Sequence, residues 1–291
     1  MSGSEHKSFA LPKAEKEKVV ATINAAEKPE HPIALKYTGS GRIIGSPYNV
    51  LCPGCGYGNI AMAICEVLGE SEANETIKYP IVIGIGCYSS LPLILPLRHT
   101  LSTLHGRTLP VATGIKLSNP HMKPIVLTGD GDCLAIGAGH FINACRRNLD
   151  VVVIMLNNSV YGMTGGHLAP TSSIGQLAST APYGCIEKPF DAVELAIASG
   201  ATYVSRWTSI HIREFMHTLK KALEHKGFSF IELMSTCPSS FGKRNGFSEP
   251  IDLMRHLRDR AIRLNKAKNM TPEGLKDKIV IGEFKDELHS E

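Results

Sequence analysis

Residues 129–158 read GDGDCLAIGAGHFINACRRNLDVVVIMLNN. An apolar run, Pro124–Thr128 (PIVLT), leads into Gly129-Asp130-Gly131-Asp132. Helical spacing follows over Leu134–Arg147, and a second apolar run, Val151–Leu156, ends on Asn157-Asn158. Strand, helix and strand within about 30 residues predict a βαβ unit with parallel strands. Ligands of such sheets collect outside the carboxyl ends of the strands, and both Asp130 and Asn158 fall there. A carboxylate and an amide oxygen at that edge suit a hard divalent cation bridging to a diphosphate. Gly129 and Gly131 let backbone come close, and the amino terminus of the following helix favours negative charge. A turn that merely joins strand to helix would explain GDG, but not an Asn pair at the end of the next strand.

The same alternation continues outward. Asn59–Leu68 carries Ile60, Ala63, Ile64 and Val67 at helical spacing, and Ile81–Gly86 reads as a buried strand. Beyond the motif come a helix over Phe190–Gly200, a strand over Thr202–Arg206, an amphipathic helix over Ile210–Lys226 and a strand over Phe228–Met234. The expectation is an α/β fold, an open, mostly parallel sheet with helices on both faces. Three parts follow from the composition along the chain. Residues 1–45 form an N-terminal extension, with a short charged helix at Lys13–Lys18 and a proline-bearing linker at Glu27–Pro32. Residues 46–249 form the α/β domain. Residues 250–291 form a charged C-terminal extension that places Arg255, Arg258, Arg260 and Arg263 on a surface helix.

The 291 residues are 43% hydrophobic and 20% charged, which excludes wholesale disorder and coiled coil. A net charge of +4 is too small to argue for nucleic acid. No run has the length of a membrane helix or a signal peptide, so a cytoplasmic protein is expected. Eight cysteines are then free thiols or ligands rather than a disulfide framework. Cys52-Pro53-Gly54-Cys55 is a CxxC, and Cys87 and Cys237 each follow a strand at the edge that carries Asp130. These four can converge on a tetrathiolate site, for zinc or for an iron–sulfur cluster. Cys65, Cys133 and Cys145 read as small buried residues, and Cys185 as a loop residue without an assigned role.

The GDG…NN pattern resembles the thiamine diphosphate motif. That resemblance implies Asp130, Asn158 and the carbonyl of Val160 as Mg²⁺ ligands. A wider resemblance covers about residues 50–245. Its segments are CPGCG (52–56), IGC (85–87), TLHGRTLPVATGIKLSNP (103–120), GDGDCLAIGAGHF (129–141), NNSVYGMTGGH (157–167), APYG to PFD (181–191), HKGFSFIE (225–232) and CPSSFGKRN (237–245). Together they resemble the β subunit of the 2-oxoacid:ferredoxin oxidoreductases, and TLHGR, PFD, HKGF and FGKRN look most like the 2-oxoglutarate branch.

The family resemblance implies the diphosphate-binding domain of the thiamine diphosphate fold. It implies oxidative decarboxylation of a 2-oxoacid with coenzyme A, electrons passing through a [4Fe–4S] cluster to ferredoxin. Cys52, Cys55, Cys87 and Cys237 would hold the cluster. Ile85, Gly86, Cys87, Tyr88, His105, Gly129, Gly131, Asp132, Gly162 and Met163 would line the cofactor, with His105 catalytic. About 200 residues of α/β sheet make only one of the two halves that enclose thiamine diphosphate, so an α subunit should bring the pyrimidine-binding half. Tyr88 stands where Ser is usual, Ser90 where Lys or Arg is common and His167 where Gln is common. These departures bear on which 2-oxoacid is used, and Arg98 or His99 is a candidate replacement cation. The alternatives are the same reaction on pyruvate or branched 2-oxoacids, a non-redox thiamine diphosphate enzyme subunit, and a zinc-binding interaction protein.

Overall fold

The computed structural model describes residues 51–71, 78–94 and 99–287. The expected N-terminal extension, its helix and its linker lie outside these residues, as does Arg98.

The described elements are, in chain order, α1 (Tyr57–Ser71), β1 (Ile81–Ile83), β2 (Thr100–Ser102), α2 (Thr108–Ser118), β3 (Ile125–Gly129), α3 (Ala138–Arg146), β4 (Val152–Asn157), the short β5 (Val160–Tyr161) and β6 (His167–Leu168), α4 (Ala192–Ala198), β7 (Tyr203–Thr208), α5 (Ile212–Glu224), β8 (Ser229–Met234), α6 (Pro250–Arg260), β9 (Ala261–Arg263) and β10 (Ile279–Asp286). Eight strands form one sheet in the order β2-β1-β3-β4-β8-β7-β10-β9, while β5 and β6 make a separate antiparallel hairpin. Every neighbouring pair in the large sheet is parallel except β7–β10.

Central strands of a parallel sheet are covered on both faces, which is why β1, β3 and β4 read as unbroken apolar runs and are buried throughout. Register sorts their side chains. Val82, Val126, Val153, Phe230 and Val204 point to one face and pack with Leu109 and Ala112 of α2, Phe141 and Ala144 of α3, and Val193 and Ala196 of α4. Trp207 takes the other face, where its indole N–H donates to Thr218 of α5 at 2.8 Å. On that side α5 buries Phe215 and Leu219, and α1 buries Ile60, Ile64 and Val67. Each such large apolar side chain contributes roughly 1.5–3 kcal/mol when fully buried. Helices therefore cover both faces, as expected. Among the described residues no helix is long and apolar enough to cross a membrane.

Three local departures matter for the site. The strand expected over Ile81–Gly86 pairs only through Ile83. Its last ladder contacts are Thr103 N–H to Ile83 O and Gly84 N–H to Leu127 O, after which the chain leaves the sheet. The helix expected over Leu134–Arg147 starts at Ala138, because a wide π turn occupies Asp132–Ile136. Asp132 is drawn back to the sheet edge there, accepting hydrogen bonds from Thr128 Oγ1 and Gly106 N–H. Such turns gather at functional sites. In the C-terminal segment, Arg255, Arg258 and Arg260 lie on α6 but Arg263 lies on β9. Extended backbone at Ala261 ends the helix, and Ile262 pairs with Val280. Residues expected as an extension thus contribute two strands to the main sheet.

Candidate active site

Four parallel strands, β1, β3, β4 and β8, deliver their carboxyl ends to one edge. Asp130 follows β3, Asn158 follows β4, Cys87 lies four residues past β1 and Cys237 three past β8.

Asp130 is buried, and burial pushes its carboxyl up to about 7, against hydrogen bonds from Thr171 and the Gly131 backbone. A carboxylate at this depth is stabilised by a cation. Asn158 stands in a tight turn. Its Oδ1 accepts from Val160 N–H at 3.3 Å, while Asn157 Oδ1 accepts from Ser159 N–H at 2.9 Å. Ser159 adopts φ 57°, a left-handed conformation uncommon outside glycine. It is held there from the far side, its carbonyl accepting from Ser172 Oγ at 2.8 Å and Gln176 Nε2 at 2.6 Å. The turn directs Asn158 and Val160 back towards Asp130, and all three line one pocket.

That pocket has a cavity volume of about 150 Å³. Every residue expected to line the cofactor lines it: Ile85, Gly86, Cys87, Tyr88, His105, Gly129, Gly131, Asp132, Gly162 and Met163. Tyr57, Tyr161 and Thr164 line it as well, unanticipated, although they sit inside the CPGCGYG and NNSVYGMTGGH segments. The glycines also have a steric reason. A Cβ on Gly131 would stand 2.1 Å from the Tyr161 ring, and one on Gly129 2.8 Å from the Tyr88 ring. They make room for aromatic walls.

His105 Nδ1 lies 2.8 Å from Asp132 Oδ1 and 3.1 Å from the carbonyl of Ile85. Both neighbours are acceptors, so Nδ1 carries the proton. The other ring nitrogen, Nε2, is left for the pocket.

The four cysteines expected to converge lie at the same edge, near enough for Cys237, Cys52 and Cys87 to act electrostatically on Cys55. In Cys52–Cys55, Cys55 N–H donates to Cys52 O at 2.9 Å around Pro53 and Gly54, and Gly54 has φ 76°. Proline then glycine with positive φ is the signature of a type II turn. A Cβ on Gly162 would stand 3.4 Å from Cys237 Sγ and 3.5 Å from Cys87 Sγ, so the pocket wall and the thiols share this glycine. Burial pushes the Cys55 thiol up to about 12, with further upward contributions from Cys237, Cys52 and Cys87. Among the described residues no three His, Cys, Asp or Glu side chains are drawn close enough to hold a single ion. Cys65, Cys133 and Cys145 are buried in helical segments as expected, and Cys185 is buried beside the carbonyls of Ser172 and Glu187.

Fold and pocket together are those of a thiamine diphosphate-binding enzyme domain, and the family model for "Thiamine pyrophosphate enzyme, C-terminal TPP binding domain" matches residues 84–233. The chain is similar to 2-oxoglutarate synthase subunit KorB of Methanocaldococcus jannaschii, 46% identical over 88% of this chain and 92% of the relative. It is 42% identical to the same subunit of Methanothermobacter marburgensis, over 91% of this chain and 89% of the relative. A solved structure, 2-oxoglutarate:ferredoxin oxidoreductase from Magnetococcus marinus with 2-oxoglutarate, coenzyme A and succinyl-CoA bound, superposes with a TM-score of 0.73. It is 28% identical and covers 91% of this chain and 88% of that one. The chain belongs to the β-subunit family of the thiamine diphosphate-dependent 2-oxoacid:ferredoxin oxidoreductases.

Proposed function

We propose that this chain is the subunit at which 2-oxoglutarate is oxidatively decarboxylated with coenzyme A, with electrons leaving through a [4Fe–4S] cluster to ferredoxin. The observation that carries this reading is the shared wall. The pocket holding Asp130 and Asn158 is bounded at Gly162 by Cys87 and Cys237. The names of the similar subunits and of the superposing enzyme support 2-oxoglutarate as substrate.

The residues fit the groups they would hold. Asp130, the Asn158 amide and the Val160 carbonyl are hard oxygen donors for Mg²⁺, and the diphosphate would complete the shell. Four thiols that share an electrostatic neighbourhood beside the pocket suit a cluster that offers each its own iron. When bound, thiamine diphosphate supplies the electron sink for loss of CO₂ and the cluster a one-electron acceptor.

The chain's own residues do the rest. Gly129 and Gly131 admit Tyr88 and Tyr161 as the apolar walls that exclude water. Asp132 fixes the His105 ring so that Nε2 can hold or release a proton at a bound substrate. Ile85, Leu104, Ile136 and Met163 are exposed apolar side chains, and Ile85 and Met163 belong to the pocket itself. An apolar rim of this kind supports an α subunit that closes the site with the pyrimidine-binding half.

Anaerobic purification together with the α subunit tests the reading. The expected result is about four iron and four sulfide per chain, bound thiamine diphosphate, and coenzyme A-dependent turnover faster on 2-oxoglutarate than on pyruvate or branched 2-oxoacids. Iron-free protein that still decarboxylates would overturn the redox part. Zinc without thiamine would overturn the whole.

A further inference from the structure

We propose that Arg206, Glu232, Asn157 and Thr171 form a positioning relay that sets the Asp130 carboxylate for the cation; this rests on reading Asp130 as a cation ligand. Glu232 is an acid in the middle of a buried strand, opposite Met155 of β4 and Arg206 of β7. One of its oxygens, Oε2, accepts from Arg206 Nε at 2.6 Å, and Arg206 Nη2 donates to Asp191 at 2.6 Å. The other oxygen, Oε1, accepts from Asn157 Nδ2 at 2.7 Å. A carboxylate flanked by a guanidinium can only accept here, so the Asn157 amide has one orientation, with Oδ1 turned towards the site. That Oδ1 accepts from Ser159 N–H at 2.9 Å and lies 3.1 Å from Thr171 Oγ1. The Thr171 hydroxyl is also in close contact with Asp130 Oδ2. It has a single proton to share between two acceptors, and the closer one is the carboxylate.

The chain of contacts thus runs from a fixed positive charge to the Asn157 amide oxygen with each polarity dictated by the previous group, and the Thr171 hydroxyl stands between that oxygen and one oxygen of Asp130. Glu232, Asn157, Thr171 and Asp130 are all buried. A buried ion pair by itself is weak evidence of stabilisation, since apolar replacements serve as well. What this pair does specifically is choose the Asn157 orientation, and with it the Ser159 turn on one side and the Thr171 hydroxyl on the other. Outer partners of metal ligands typically carry 10- to 100-fold in metal affinity.

The test uses the assembled enzyme, titrated calorimetrically with Mg²⁺ at saturating thiamine diphosphate. T171V should raise the Mg²⁺ concentration for half-saturation by about 10-fold or more, while T171S, which keeps the hydroxyl, stays within about twofold of wild type. E232Q keeps the side-chain shape and should raise it several-fold. It carries the test alone if T171V does not fold. The T171V/E232Q double variant should bind no worse than T171V, because the relay reaches Asp130 through Thr171. Wild-type enzyme that binds no thiamine diphosphate with Mg²⁺ would overturn the reading of the site, and the relay with it. Normal wild-type binding with T171V or E232Q unchanged, or with their effects multiplying, would overturn the relay alone.

Discussion

His105 and Asp132 show how much one side chain's placement depends on another. His105 is partly exposed, whereas Asp132 is buried and fastened by Thr128 and Gly106, so the acid is the fixed member and the imidazole is the oriented one. Replacing His105 with Gln should lower kcat by about 10²-fold, the lower end for a lost general acid–base group. Thiamine diphosphate affinity, read by titration, should stay within about twofold, and a large loss of affinity would show that the ring serves binding instead. Gly131→Ala makes the opposite prediction. Its methyl would drive Tyr161 out of the wall, so cofactor affinity and thermal stability should both fall. At this scale most of the pocket-lining residues were legible, because their types are dictated by chemistry and their order by the family pattern. Thr171 was not, since a threonine in a loop announces nothing. Glu232 and Arg206 carried a usable signal: each is a lone charge in a buried strand, and such charges are paired. Their pairing needed the β7–β8 register, which no local pattern encodes.

Among elements, the β3–α3–β4 unit was the easiest to anticipate and the site was hung on it. The missed ones have evident causes. Strand β2 is three residues at the sheet edge, and α2 contains Pro110 and Gly114, which dilute a helical pattern. Strand β9 is three residues at the other edge, and β10 (IVIGEFKD) breaks its apolar run with three charges. The junction of α2 with β4 carries a pH-dependent lock. Asp150 faces Lys116 at 2.7 Å and Lys123 at 3.1 Å. Burial alone would raise the Asp150 carboxyl, but the two ammonium groups and the Gly227 N–H outweigh it and hold the carboxyl below its ordinary range. On acidification the folded chain therefore takes up this proton after the unfolded chain does. The stabilisation is complete above the ordinary carboxylate pKa and is lost as pH falls below it. Asp150→Asn should lower the urea midpoint at neutral pH and flatten its decline between about pH 5 and 3. A decline parallel to wild type would remove Asp150 from the account.

At the scale of the molecule, the C-terminal strands close the sheet. Strand β10 pairs with Tyr203–Arg206 of β7, buries Ile281 and lays Phe284 5.7 Å under the Arg206 guanidinium. A chain ending at Arg260 would bare the β7 ladder, and a long unpaired edge invites strand addition from another molecule. Such a truncation should aggregate on expression, read by light scattering and soluble yield. A monomeric product melting like the full chain would show the strands to be dispensable.

The convergence of the cysteines also has a consequence in time. Cys52 Sγ rests 3.3 Å from the hydroxyl of Ser239, a neighbour 187 residues away along the chain. Between them the ribosome must deliver nearly the whole sheet. Until β8 is laid down, the growing polypeptide holds a CxxC whose distant partners have not yet been made. The thiol set therefore comes into being only as the last central strand docks, which makes a complete quartet a report that the central strands are in place. Any group that needs all four sulfurs can be loaded only once Cys237 has been made, and a chain cut short before it has no place to receive such a group.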